Sequence, residues 1–176
     1  MKWKKVEKEV KEEHNDIGHG GRYGAGLPSV GDGSFLFLMN LMSKMKPKEK
    51  GGSRLAIVFN GSPLFSGSPS SKQNESSIRQ WIIENDLLEA VIGLPNQLFY
   101  NTGISTYIWI ISNKKDKKRK GKVQLINAVD FAKKMSKSLG DKRNELSEEH
   151  INEITALYGN FTENENCKIF DNADFG

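Results

Sequence analysis

The residues best suited to chemistry lie in one stretch, Gly93 to Ser112, GLPNQLFYNTGISTYIWIIS. Its middle carries two adjacent aromatics, Phe99 and Tyr100, followed by Asn101-Thr102-Gly103. Large aromatics in a loop hung on rigid strands are suited to binding. The competing reading is that one or both plug the end of the core. A second candidate is the basic run Lys114, Lys115, Lys117, Lys118, Arg119, Lys120 and Lys122, broken only by Asp116 and Gly121. At a hairpin tip it would make a phosphate-contacting prong, or else a solvated loop that keeps an edge strand soluble. No metal site is expected: His14, His19 and His150 are scattered and Cys167 stands alone, so zinc spacing is missing. There is no G-x-S-x-G, and the lone cysteine has no placed base. Three G-x-G triplets (18–20, 24–26, 31–33) neither follow a predicted strand nor extend to G-x-G-x-x-G, so a dinucleotide fingerprint fails.

The elements that must position these residues follow from periodicity. Leu88 to Leu94 reads as a strand with Leu88, Ala90, Ile92 and Leu94 on one face, and Ser105 to Ser112 as a second, rich in β-branched and aromatic residues. Val123 to Asn127 is a third, and an antiparallel hairpin of 105–112 with 123–127 is the expected pairing. Upstream, Arg54 to Phe59 is a continuous apolar run, expected to be a central parallel strand covered on both faces. Asn60 and Gly61 leave its carboxyl end, where open α/β sheets bind ligands. Helices are predicted over 35–46, nearly apolar all round and capped by Asp32 or Ser34, over 75–85, capped by Asn74 or Ser76, and over 148–158, capped by Ser147. Strand 54–59, helix 75–85 and strand 88–94 make a βαβ unit. Residues 3–14 form a charged amphipathic segment, and the glycine-rich stretch 18–33 a long mobile loop. Residues 130–135 are expected to be a short helix, 139–146 a polar linker, and 162–176 an Asn- and Asp-rich tail. This divides the chain into 1–34, a charged segment with a Gly-rich loop; 35–128, the α/β sheet; and 129–176, a helical extension with its tail.

The totals agree with one globular unit. The 176 residues include 36% hydrophobic and 27% charged, with a net charge of +4. No apolar run approaches the roughly 20 residues of a membrane helix. The charged N-terminus lacks a signal-peptide core, and the single cysteine cannot form an internal disulfide, so a cytoplasmic location and no membrane association are expected.

Four pieces together resemble a known family: DGSFLFLMNLMSKMKP (32–47), GGSRLAIVFNGSPLFSG (51–67), SSIRQWIIENDLLEAVIGLPNQLFYNTGISTYIWIISNKK (76–115) and KGKVQLINA (120–128), with 147–161 also similar. They look like the methylation (M) subunit of type I restriction–modification systems, an adenine-N6 DNA methyltransferase. The resemblance implies an α/β fold: the C-terminal half of a Rossmann-like, S-adenosylmethionine-dependent methyltransferase domain, ending in an antiparallel β-hairpin. The family's cofactor glycine motif is missing. So is its catalytic Asn-Pro-Pro-Phe, since the five prolines (28, 47, 63, 69, 95) include no adjacent pair.

What the family does follows from adenine chemistry. The N6 lone pair is delocalised into the ring, so acceptors supplied by the missing motif must favour its attack on a methyl sulfonium. The target base must also leave the duplex. In related enzymes an aromatic from the loop before the last hairpin holds that base. By position Phe99, or next Tyr100, matches it. The resemblance further implies that Phe35 borders the cofactor, that Asn60 and Gly61 face the substrate, and that the basic run meets DNA or a partner subunit. The implied cofactor is S-adenosylmethionine, and the implied partners are DNA, a specificity subunit and a restriction subunit. By itself the segment is expected to be inactive and open to self-association through an exposed sheet edge. The alternative is a non-catalytic DNA-binding or subunit-assembly module.

Overall fold

The computed structural model describes residues 2–70 and 74–175. A five-stranded mixed sheet organises them. Its strands are β1 (Arg54–Asn60), β2 (Leu88–Leu94), β3 (Thr106–Ser112), β4 (Lys122–Asn127) and β7 (Cys167–Asp171), in the order β1-β3-β2-β4-β7. A separate two-stranded ribbon joins β5 (Lys133–Leu139) to β6 (Lys142–Glu145). The helices are α1 (Glu7–Ile17), α2 (Ser34–Met42), the single turn α3 (Ser62–Phe65), α4 (Glu75–Glu84) and α5 (Glu148–Asn160). Among the described residues no helix is long and apolar enough to cross a membrane.

Both β1 and β2 run antiparallel to β3, so they are parallel to each other with β3 inserted between them. The expected 105–112/123–127 pairing is not built: β4 lies parallel to β2 on its far side. β2 and β3 instead form an antiparallel pair. Strand order is a non-local property: the short 113–121 connection carries the chain past β2, and β4 lies between β2 and β7.

The sheet has a layer on each face. One core gathers Phe35, Leu38, Met39, Phe59, Ile78, Ile82, Val91, Trp109 and Ile111, from α2, α4 and the sheet, and Trp3, Val10 and Tyr23 join it from the N-terminal segment. The other gathers Ala90, Ile92, Leu94, Ile110, Ile126, Cys167 and Ile154 of α5. Period-two alternation in β2 and β3 sends successive side chains to opposite cores. Leu88 departs from this. A register shift between Leu88 and Ala90 makes Glu89 a bulge, and the extra residue turns Leu88 onto the α2/α4 face instead of the face of Ala90 and Ile92.

β2, not β1, is the strand buried on both faces. β1 lies at the edge, and its residues Arg54, Ala56, Val58 and Asn60 are exposed because the core on the α5 side of the sheet does not extend over it. The glycine-rich 18–33 segment is pinned. The Trp3 indole N–H donates to Ser29 O (2.8 Å), the Trp3 amide to Val30 O (3.1 Å) and the Ser29 amide to Glu75 Oε1 (2.8 Å). His14 Nδ1 lies 2.7 Å from Tyr23 O. Gly24 closes the packing: a Cβ there would stand 2.4 Å from His19 N. Helix α4 starts where Asn74 and Ser77 form a capping box, and α5 where Ser147 and His150 do. The 130–146 region is the β5–β6 ribbon, not helix and linker, and the tail supplies β7, which pairs antiparallel with β4.

Candidate nucleic-acid interface

Register places the candidate residues at two opposite ends of the sheet. Asn60 and Leu94 both pair with Thr106, and Gly93 pairs with Asn127. The carboxyl ends of β1, β2 and β4 therefore meet the start of β3, and the 61–74 and 95–105 loops leave from there. Arg54 pairs with Ser112 at the other end, from which the basic run departs. Six residue steps along β3 separate the two ends by roughly 20 Å.

At the first end, the 95–105 loop turns its aromatics outward. Phe99 is 39% and Tyr100 61% exposed, while Pro95 is fully buried and Leu98 packs into the α5-side core. Leu98 is thus the plug, and Phe99-Tyr100 are presented to solvent. The loop is shaped by Gln97, whose φ is +54°, and by a bridge between Phe99 and Thr102. Its backbone is held from the side by the β5–β6 ribbon: the Arg143 and Asn144 amides donate to Gln97 O (3.0 and 3.1 Å), and the Asp141 amide to Tyr100 O (3.0 Å).

Asn60 Oδ1 accepts the Ser62 amide at 3.0 Å, so this side chain caps its own loop. At Gly61 a Cβ would meet the Phe65 and Tyr107 rings at ordinary contact distance, 3.5 and 3.7 Å. Phe65 itself is 77% exposed, a third open aromatic that helical and strand periodicity could not reveal; its only signal was a phenylalanine in a Gly/Ser/Pro loop. Thr106 Oγ1 is buried without a hydrogen-bond partner among the described residues. Burial pushes the Asp32 carboxyl up. Hydrogen bonds from the Ser34 and Ser62 side chains and the Ser34 amide outweigh that and hold it below the usual carboxylate range.

Phe35 does not open onto this end. It is 1% exposed and packs edge-on against Phe59 and Trp109 at 6.2 and 5.8 Å between ring centres. It takes a core position here, since an apolar helix against a sheet buries its first turn. Asn60 and Tyr100 are exposed, Phe99 is 39% exposed and Gly61 is partly exposed. Phe99 and Tyr100 therefore present aromatic surface to solvent.

At the second end, burial sorts the basic run. Arg119 is 3% exposed. It lies 3.5 Å from Glu89, which is 0% exposed, donates to Gln124 Oε1 (2.8 Å) and to Tyr158 O, and stacks 4.4 Å from the centres of both the Tyr158 and Phe161 rings. Glu89 is also held by Arg54 at 2.7 Å. Lys115, buried as well, donates to Asp86 (2.6 Å) and to Lys122 O (2.9 Å). Lys118 caps α5 through Gly159 O (3.1 Å), and Lys122 pairs with Asp171 at 2.6 Å. Lys115 and Arg119 are thus structural cations, a correction to their expected phosphate role. Lys114, Lys117 and Lys120 open onto a cleft of about 690 Å³ with Lys48 and Arg54.

The structure is similar to a solved structure of a type I restriction–modification system methyltransferase subunit from Streptococcus thermophilus. That likeness has a TM-score of 0.67 at 26% identity, over 81% of this chain and 27% of that one. The fold is half of a Rossmann-like methyltransferase domain. The family model for N-6 DNA methylases matches residues 2–174, and the chain belongs to that family. It is 31% identical over 139 residues to the MjaIX type I restriction enzyme methylase subunit of Methanocaldococcus jannaschii, and 38% identical over 108 residues to the HindI methylase subunit of Haemophilus influenzae. Those matches take in 79% and 61% of this chain but only 23% and 22% of the relatives, so the chain spans about a quarter of their length.

Proposed function

We propose that this chain is the second half of the catalytic domain of a type I methylation subunit, which transfers a methyl group from S-adenosylmethionine to adenine N6 of DNA in the cytoplasm. The observation that carries the reading is the exposed Phe99-Tyr100 pair, held on a braced loop at the carboxyl ends of a methyltransferase sheet. An extruded adenine stacks on Phe99, with Tyr100 the second choice, which is worth roughly 1–3 kcal/mol per base. Asn60 and Gly61 border the substrate from the β1 loop. The cofactor supplies the methyl group and is held mainly by residues outside this chain, which is therefore inactive alone. A specificity subunit selects the sequence, and a restriction subunit completes the complex. The free edge of β1 takes a neighbouring strand of the parent domain; without one it is open to self-association.

The test is methyl transfer to an adenine-containing duplex by this chain mixed with the preceding, Asn-Pro-Pro-Phe-bearing half of a related methylase subunit. Transfer is expected from the mixture and not from the chain alone, and Phe99→Ala is expected to lower kcat/KM roughly 5- to 150-fold. Full activity of Phe99→Ala and Tyr100→Ala would sink the stacking role. The exposure of Phe99 and Tyr100 to solvent favours one rival, a non-catalytic DNA-binding or assembly module. It predicts DNA binding without transfer in any mixture.

A further inference from the structure

The β5–β6 ribbon leaves from the carboxyl end of β4, so it stands at the same end of the sheet as Phe99 and Tyr100. Its β5 residues are exposed except Met135, its β6 residues are half-buried except the exposed Arg143, and none is buried, so no hydrophobic core of its own explains it. Five hydrogen bonds tie it to the aromatic loop: the three backbone bonds from Asp141, Arg143 and Asn144, and Asn144 Nδ2 to Asn96 O at 3.0 Å and to Asn96 Oδ1 at 3.4 Å. At its turn Gly140, with φ +60°, sits so close that a Cβ would lie 2.8 Å from Tyr100 O. The turn is therefore seated directly against the residue beside Phe99.

The ribbon carries Lys133, Lys134, Lys137, Lys142 and Arg143 against Asp141 and Glu145. Among the described residues none of those five cations takes part in an ion pair within 4 Å. The run 114–122 spends four of its seven cations on internal contacts and lies roughly 20 Å away along β3. That is about six nucleotide steps at 3.4 Å each. A cation that steadies the strand beside an extruded base has to lie within a few steps of it.

We infer that the β5–β6 ribbon is a DNA-backbone clamp: Lys133, Lys134 and Lys137, with Lys142 and Arg143, contact phosphates flanking the base that the 95–105 loop receives. The inference rests on the stacking role proposed for that loop. It moves the phosphate contacts from Lys114–Lys122 to the opposite end of the sheet. The ribbon then has two jobs in one piece, since the backbone that presents the cations also fixes Gln97 and Tyr100.

The test is binding of this chain to a short fluorescein-labelled duplex, by anisotropy across a series of salt concentrations. Each phosphate contact contributes about 0.9 to the slope of log K against log salt. The triple variant Lys133→Ser, Lys134→Ser, Lys137→Ser is expected to lower the slope by about 2 to 3. The arginine version of the same triple, which keeps the charge, is expected to restore it. Lys114→Ser, Lys117→Ser, Lys120→Ser is expected to leave it unchanged. An unchanged slope in the ribbon triple, or an equal loss in the distal triple, would overturn the clamp. An acidic protein as the ribbon's true partner would show itself as the first of these. The same titrations with 2-aminopurine at the target position separate the clamp from the stacking role. A signal that depends on Phe99 while the ribbon slope stays put refutes the clamp alone. A slope that falls while the signal ignores Phe99 and Tyr100 upholds the clamp and refutes the stacking.

Discussion

Arg119 offers the sharpest stability prediction, because a residue that counts as part of a basic DNA-binding run turns out to be a buried rivet. Its guanidinium links the bulged Glu89 of β2, Gln124 of β4, and Tyr158 and Phe161 at the end of α5. Arg119→Ala removes one cation from a fully buried carboxylate and leaves Arg54, whose side chain is half exposed, as the remaining ion-pair partner of Glu89. Breaking a buried pair in this way costs about 3–5 kcal/mol, a large part of the 5–15 kcal/mol that holds a typical domain together. With a urea slope of about 2 kcal/mol per molar, the midpoint falls by about 1.5–2.5 M. Arg119→Lys is expected to recover little of this, because an ammonium cannot serve the carboxylate, the Gln124 amide and two ring faces together. Urea denaturation followed by circular dichroism reads the shift. A midpoint change below about 0.5 M in Arg119→Ala would refute the assignment of Arg119 to the core.

Two further predictions concern the supports of the site and the distal cleft. Gly140→Ala forces a side chain into a left-handed turn against Tyr100 O and is expected to cost about 1–2 kcal/mol. It also frees the ribbon from the loop, so amide exchange at Asp141 and Arg143 speeds up; unchanged exchange would show that the ribbon does not brace the loop. Asp86 accepts hydrogen bonds from Lys115 (2.6 Å), the Gly121 amide (3.0 Å) and Asn172 (3.1 Å). Burial raises its pKa, but these bonds lower it more, so the folded value lies below the unfolded one. Its stabilisation is therefore full above the ordinary aspartate range and is lost as pH falls through the folded value. Urea midpoints should drop between about pH 5 and about pH 3, and drop less in Asp86→Asn, which lacks the titration; equal drops would remove Asp86 from the account.

Much of the local structure was legible in the sequence. β2, β3, α4 and α5 start and stop where alternation, Asn74 and Ser147 indicate, because those signals are carried by neighbouring residues. The loop between β2 and β3 was likewise readable as carrying the two aromatics, but not whether they face solvent or plug the core; Leu98 takes the inward place. Strand order was not, since pairing depends on residues far apart in the chain. β1 looked central because Leu55-Ala56-Ile57-Val58-Phe59 is apolar throughout, yet alternate residues face solvent. The Glu89 bulge has no sequence signature, and one extra residue sends Leu88 to the other core. The β5–β6 ribbon escaped because KKMSKSLGDKRNE lacks apolar alternation; only Gly140-Asp141 marked its turn. Counting charges in Lys114–Lys122 could not show that Lys115 and Arg119 point inward, because burial is set by the partners Asp86 and Glu89, which lie on the chain before β3.

The claim that this chain supplies one side of a methyltransferase site is tested most directly by calorimetric titration of S-adenosylmethionine. The titration is made into the chain alone and into its mixture with the Asn-Pro-Pro-Phe-bearing half of a related methylase subunit. Heat of binding from the mixture only is the predicted result. Tight binding by the chain alone would contradict the account, because a complete cofactor site would then have to exist within residues that leave the carboxyl ends of β1 and β2 open.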